Sequence, residues 1–308
     1  MAQIRFDDQV VIVTGAGRGL GRQHALLLSS RGATVVIADA SAEPAEETAA
    51  EIVAAGGSAM AVVSRLGEPQ TAADLVAGAH RRFGRLDAVL NNAGSGGPSG
   101  PIDTVTDDYL ERVVSTHLLA SFHMARAAWP LMVDQGGGRI VFTSSATALG
   151  DIGMVTYSMA KAGLWGLTRS LALEGAAHGI AVNALLPIGF TRAAAPNPHE
   201  QVRAWMEEHF PASLCAPAAV LLCHRDVPCT GELVSAGGGR VAVIRTMAGT
   251  GLRAGAALTL EALSAGWDDA SATDGLKVLR AGRDELDLFG YTSPVDPDAD
   301  DRIAVPWT

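Results

Sequence analysis

Short apolar runs alternate with longer amphipathic stretches over the first two thirds of the chain. Val10–Thr14, Thr34–Asp39, Ser58–Val63, Leu86–Asn91, Arg139–Thr143 and Ile180–Leu186 are nearly uncharged and rich in β-branched residues, the pattern of strands buried on both faces. Between them, apolar positions recur at helical spacing over Leu20–Ser30, Glu43–Ala55, Thr71–Phe83, Asp107–Val133 and Thr156–Ala177. Strand and helix in strict turn predict βαβ units. The expected fold is therefore α/β: a Rossmann-type, doubly wound parallel sheet in three α/β/α layers, with ligands beyond the carboxyl ends of its strands.

After Leu186 the regularity loosens. Pro187, Pro196, Pro198 and Pro211 punctuate a loop with one short helix, Glu200–Glu208, where a substrate lid is expected. A last strand near Glu232–Ser235 closes the sheet, and Gly237-Gly-Gly239 reads as a boundary. Residues 1–239 then form one coenzyme-binding domain. Residues 240–308 form a C-terminal extension, helical near Thr259–Trp267, expected to pack on a subunit interface or on the active site. Its polar end, Ser293–Arg302, has the composition of a disordered segment.

Composition narrows the choice of partner. Against 33 acidic residues stand 23 basic ones, a net charge of −10 over 308 residues, which repels nucleic acid and anionic membrane and favours a small-molecule substrate. No run approaches the roughly 18 uncharged apolar residues of a membrane span, and the first residues carry no leader-like apolar region, so a cytoplasmic protein is expected. Cys215, Cys223 and Cys229 cluster beside His224 but lack a Cys-x-x-Cys pair; they read as reduced structural thiols, and no metal is expected.

The chemistry lies in two motifs. Thr14-Gly-Ala-Gly-Arg-Gly-Leu-Gly21 follows an apolar strand and opens a helix, so backbone N–H groups at Gly15, Gly17, Gly19, Leu20 and Gly21 can face a pyrophosphate. Eighteen residues on, Asp39 ends the second strand, where a carboxylate can accept from ribose hydroxyls and would repel a 2′-phosphate. That favours NAD over NADP, although Arg18 inside the turn could pair with a phosphate. The second motif is Tyr157-x-x-x-Lys161. Four residues apart on a helix, the two side chains share a face, and the ammonium can draw a phenol with an ordinary pKa of about 10 toward neutrality.

These residues, with Asn91-Asn-Ala-Gly94, Thr143-Ser-Ser145 and Asn183 to Pro187, resemble the short-chain dehydrogenase/reductase family in order and spacing. His117-Leu-Leu-Ala-Ser-Phe122, Ala127-Ala-Trp-Pro130, Leu171-Ala-Leu-Glu-Gly175 and the stretch from Ala216 to Arg240 are similar to one branch of it, the 3-hydroxyacyl-CoA dehydrogenase module of peroxisomal multifunctional enzyme type 2. The resemblance implies an NAD-dependent oxidoreductase that interconverts a secondary alcohol and a ketone, most specifically a 3-hydroxyacyl-CoA. A hydroxysteroid or other bulky alcohol is the alternative, and a non-catalytic dinucleotide sensor a further one.

Carried over residue by residue, it makes Ser145, Tyr157 and Lys161 catalytic and puts His117 where most members have an asparagine relaying protons. Asn91, Ala93, Gly94, Pro187, Gly189 and Thr191 join the glycine turn, Asp39, Tyr157 and Lys161 around the coenzyme. The serine is ambiguous, because the gap to Tyr157 is one residue short and counting back lands on Ser144. Ser145 is preferred, since the loop Ala146–Gly153 absorbs a deletion more easily than the strand does.

Two positions depart from the family: Ser64-Arg65-Leu66 replaces an aspartate that contacts adenine, and Ile188 replaces a glycine. Trp129, Trp165 and Trp205 read as packing; Arg192, Arg203 and Arg240 could meet a CoA phosphate or lie solvated. The two long helices are apolar around much of their circumference, which with the family's habit of pairing through them implies a homodimer or homotetramer.

Overall fold

Five consecutive buried residues, Val10–Thr14 (β1), occupy the middle of the sheet in the computed structural model, which describes residues 3–96, 99–191 and 200–289. Val11, Ile12 and Val13 are wholly inaccessible. An alternating strand would leave one face wet, whereas this uninterrupted apolar run demands cover on both. Each such side chain stabilises the fold by about 1.5–3 kcal/mol through burial.

Parallel to β1 run β2 (Thr34–Asp39), β3 (Ser58–Val63), β4 (Ala88–Asn91), β5 (Gly138–Thr143), β6 (Ile180–Pro187) and β7 (Leu233–Gly237), in the order β3-β2-β1-β4-β5-β6-β7. One apolar core lies on the face of α1 (Gly19–Ser30), α2 (Ala42–Ala54) and α8 (Ala216–Leu222), the last preceded by the short helix α7 (Glu200–His209) expected after Pro198. A second lies on the face of α3 (Pro69–Phe83), α5 (Ala120–Asp134) and α6 (Val155–Gly175). These are the three layers that the alternation predicts. The strand order reverses between β1 and β4, and a crevice opens there at the carboxyl ends of the strands.

Two departures matter. The expected boundary at Gly239 lies too early: Arg240–Ile244 forms β8, pairing antiparallel with β7, and the chain divides into compact units after Ile244. Gly238 and Gly239, at φ +56° and +78°, make a two-residue hairpin turn where a domain break was expected. In the second unit β9 (Thr246–Ala248) pairs antiparallel with β10 (Lys277–Leu279). The helical signal near Thr259–Trp267 becomes α9 (Leu260–Ala265), capped by the Thr259 hydroxyl, then α10 (Trp267–Ala270) and α11 (Gly282–Leu288). No described residue of this unit is buried. The segment 293–302 lies outside the described residues.

The second departure is a break in the helix expected over Asp107–Val133. It is α4 (Asp107–Val114), a π-helical turn at Ser115–Leu119, and then α5. The inserted turn carries His117. Single π turns of this kind are characteristic of functional sites.

Candidate active site

The glycine turn is shaped by what it lacks. Gly15 holds φ +63°, and a Cβ there would lie 2.9 Å from the Ala93 Cα. A Cβ on Gly21 would sit 2.2 Å from the Gly15 carbonyl oxygen, and one on Gly17 2.7 Å from the Pro44 Cβ. Backbone thus packs on backbone, and the opening of α1 is left bare for a phosphate to approach. Asn92 fastens the turn: its Nδ2 donates to the Thr14 and Gly15 carbonyls at 3.0 and 3.2 Å, while the Thr14 hydroxyl accepts from the Asn92 and Ala93 amides, both at 2.9 Å.

Asp39 ends β2 with its carboxylate clamped. Oδ2 accepts from the Gly17 amide and Oδ1 from the Ser41 amide, each at 3.0 Å. Arg18 is exposed at the start of α1, and its side chain makes no hydrogen bond or ion pair among the described residues. Across the crevice Thr191 faces Gly19, and Gly189 packs near Leu20 and Cys215, so the end of β6 closes over the glycine turn. Both polar atoms of the Asn91 amide are buried without a partner, as is the Ser64 hydroxyl. Stranded polar atoms around a cradle with no side chains, next to a fixed carboxylate, fit a dinucleotide. Arg192 lies outside the described residues.

Opposite the turn stand the groups able to move protons. Ser144 and Ser145 are separated by their surroundings. The Ser144 amide continues the β-ladder to the Leu185 carbonyl at 2.7 Å; its buried hydroxyl donates to the Lys161 carbonyl at 2.9 Å and accepts from the Trp165 Nε1 at 2.8 Å. Ser145 turns to the other side and caps the next turn by accepting from the Thr147 amide at 3.1 Å, and its hydroxyl favours the ionised form of the Tyr157 phenol. Trp165, read from sequence as mere packing, therefore anchors the strand end.

The electrostatics differ from the sequence expectation. Burial pushes the Tyr157 phenol above its ordinary pKa, and the Ser145 hydroxyl offsets part of that rise. Lys161 does not enter: its Nζ lies 5.6 Å from the centre of the Tyr157 ring and donates to the Thr143 carbonyl at 2.5 Å. Desolvation lowers the lysine itself to about 7. A wholly buried ammonium with a single carbonyl acceptor is poorly compensated. It is a cation short of partners, next to the coenzyme crevice.

His117 packs edge-on against Tyr157, with ring centroids 5.0 Å apart. Its Nε2 lies 3.0 Å from the Ser95 carbonyl, which can only accept, so the proton belongs on Nε2 and Nδ1 is an acceptor. That Nδ1 is buried and unpartnered beside Gly94. Burial and then the Lys161 charge lower the imidazole to about 4, against a smaller upward pull from Ser95. It is neutral at physiological pH.

The chain belongs to the short-chain dehydrogenase family, whose model matches residues 9–201, and it is an oxidoreductase of the kind that works with a nicotinamide dinucleotide. A protein of Mycobacterium tuberculosis named as a short-chain type dehydrogenase/reductase is 33% identical over 281 residues, covering 88% of this chain and 96% of that one. Mouse peroxisomal multifunctional enzyme type 2 is 36% identical over 253 residues, 79% of this chain but 33% of that enzyme, so this chain spans about a third of it. Among solved structures, a 7α-hydroxysteroid dehydrogenase complexed with NADH and 7-oxo glycochenodeoxycholic acid matches 78% of this chain and 98% of its own at 29% identity, with a TM-score of 0.72. No helix among the described residues is long and apolar enough to cross a membrane.

Proposed function

We propose that the protein is an NAD-dependent dehydrogenase of secondary alcohols, with 3-hydroxyacyl-CoA thioesters as its preferred substrates. The observation that carries the reaction is the pairing of the Ser145 hydroxyl with the buried Tyr157 phenol, whose rise in pKa it offsets, in a chain whose glycine turn leaves its backbone bare. The nicotinamide, when bound, supplies the hydride acceptor. The Tyr157 oxygen takes the alcohol proton, and the Ser145 hydroxyl donates to the oxygen that becomes a carbonyl. Lys161, short of partners, is the group to hold the nicotinamide ribose hydroxyls. His117 Nδ1, an acceptor with nothing to accept from, extends the proton path away from Tyr157. Asp39, both of its oxygens already fixed by amides, has its charge placed against a 2′-phosphate, which is why NAD is preferred over NADP.

The acyl-CoA preference rests on the likeness to the multifunctional enzymes and to the residue pattern around His117. A second reading, a hydroxysteroid or similarly bulky alcohol, draws on the hydroxysteroid dehydrogenase likeness and on the exposed Leu149 and Ile152 in the loop between Ser145 and Tyr157. Pairing of subunits through α5 and α6 is part of the proposal; Leu119, Phe122, Met159 and Leu173 are exposed on them or on the turn between them and α4. The test is coenzyme reduction followed by the absorbance of the reduced nicotinamide, with NAD or NADP against hydroxyacyl-CoA thioesters and hydroxysteroids. Turnover with NAD and a hydroxyacyl-CoA is expected. Tyr157→Phe should lower kcat by about 1,000-fold and leave NADH affinity unchanged. Undiminished turnover in that variant rejects the assignment, and faster use of NADP rejects the role given to Asp39.

A further inference from the structure

We propose that the cleft between α4, the loop before it and the amino end of α6 is an oxyanion subsite, taking a carboxylate or phosphate. Substrate binding there rests on the dehydrogenase reading above. The cleft, about 280 Å³, is lined by Thr104, Thr106, Tyr109, Arg112, Gly153 and Thr156 among others. It is large enough for an anion and its water. Its two walls are tied by the Gly100 amide, which donates to the Gly153 carbonyl at 2.9 Å.

Arg112 and the amino end of α6 select the sign of the ligand, and Thr156 adds a hydroxyl. Arg112 is the one charged side chain among the described lining residues. Its guanidinium lies over the Tyr109 ring, 5.2 Å from the centroid, and makes no ion pair or hydrogen bond among the described residues, although Asp107, Asp108 and Glu111 share its helix. An exposed guanidinium held over an aromatic face keeps N–H groups free for an oxyanion.

Thr156 is 6% exposed, and its hydroxyl has no hydrogen-bond partner among the described residues. Held in a residue that is otherwise packed, this hydroxyl is left free to donate to a ligand in the cleft that it lines. Val155 and Thr156 also form the first turn of the 21-residue α6, whose free N–H groups and positive dipole end face the same space. Thr156 precedes Tyr157. The cleft lining thus reaches the residue before Tyr157 in α6, which makes the substrate's own anion one candidate ligand.

Either the substrate's own anion or free phosphate could supply this chemistry, and two measurements on the full chain separate them. In the first, phosphorus NMR line broadening of inorganic phosphate is titrated with wild type, Arg112→Gln and Thr156→Val. Wild type should broaden the signal, Arg112→Gln should lose most of that, and Thr156→Val part of it. Circular dichroism and NADH binding check that the variants are folded.

In the second, KM is compared for a 3-hydroxyacyl-CoA and the uncharged pantetheine thioester of the same acid. Arg112→Gln should raise KM for the CoA ester about tenfold with kcat unchanged and leave the pantetheine ester unaffected. Loss of phosphate binding with no such split assigns the subsite to a free anion. Loss of phosphate binding in a protein that turns over no hydroxyacyl-CoA at all keeps the subsite and rejects the substrate reading. Equal phosphate broadening by wild type and Arg112→Gln overturns the subsite.

Discussion

The two walls of the crevice are built on opposite principles. On the coenzyme wall, from Thr14 to Gly21, Asn92 fixes the Thr14 and Gly15 carbonyls, and glycines leave out side chains where a single Cβ would collide with its neighbours. On the proton-transfer wall the side chains are present and their valences are not filled: Lys161 has one acceptor, His117 a bare Nδ1 and Thr143 a bare hydroxyl. A surface that binds an invariant phosphate skeleton gains from close fit and rigidity. A surface that must exchange protons gains from groups whose protonation costs are poised. The contrast predicts that the first wall tolerates no added atom, whereas the second tolerates substitution in stability but not in rate.

The largest expected effect comes from adding an atom to the first wall. Gly21→Ala places a methyl group 2.2 Å from the Gly15 carbonyl oxygen and 2.5 Å from the Asn92 Nδ2, both parts of the clamp. NADH affinity, read by fluorescence titration, should fall by about 100-fold or more, the equivalent of roughly 3 kcal/mol. An affinity within threefold of wild type would mean that the turn moves freely and that its packing is not what shapes the site.

Next in size is a pair of neighbouring serines. Ser145→Ala removes the hydroxyl that meets Tyr157, and kcat should fall about 100-fold with NADH affinity unchanged. Ser144→Ala leaves the Trp165 indole without its acceptor, so it should cost about 1–3 kcal/mol in denaturant unfolding and change kcat less than threefold. Reversal of the two outcomes would place the reacting oxygen on Ser144 and would show that the loop, not the strand, kept the family's spacing.

The same serines show where sequence reading succeeds and where it stops. Strands β1, β2 and β4 to β6 were legible because strands buried on both faces are continuous apolar runs, and alternation past the end of β5 makes two adjacent serines face opposite sides. The glycine turn and Asp39 were legible because close approach leaves a residue-type signature. The π turn at Ser115–Leu119 was not, since its backbone register depends on what His117 packs against. Nor was β8, whose Arg240–Ile244 is short and meets β7 through a turn that reads as a linker.

The lysine shows the limit most clearly. Spacing alone puts Lys161 beside Tyr157, but the acceptor that holds its Nζ is the backbone carbonyl of Thr143, and carbonyls leave no mark in a sequence. The rise in the Tyr157 pKa comes from burial, a property of the whole fold. Arg112, Thr156 and the loop before α4 are likewise brought together by tertiary packing and share no motif.

The smallest effect tests how far the rigid wall's economy extends into α1. His24 is fully buried three residues after Gly21, and neither of its ring nitrogens has a partner. Burial lowers its pKa from 6.5 to about 3. Its folded pKa lies below its unfolded one, so above 6.5 both states are neutral and the residue imposes no pH dependence. As the pH falls through 6.5 toward 3, the unfolded chain binds a proton that the folded chain refuses, and stability drops by ~1.4 kcal/mol per pH unit from this group alone. His117, lowered to about 4, adds a similar slope over a narrower window. His24→Leu should therefore raise stability by about 1–2 kcal/mol at pH 7, by removing two unsatisfied polar atoms, and by more at pH 5. The residual acid slope is then that of His117 and the carboxylates. Urea unfolding of both proteins at pH 5, 6 and 7 on the usual two-state treatment reads this directly. Parallel stability curves for the two would show that His24 reaches solvent or a partner, and that the polar satisfaction seen around Asn92 continues into the first helix.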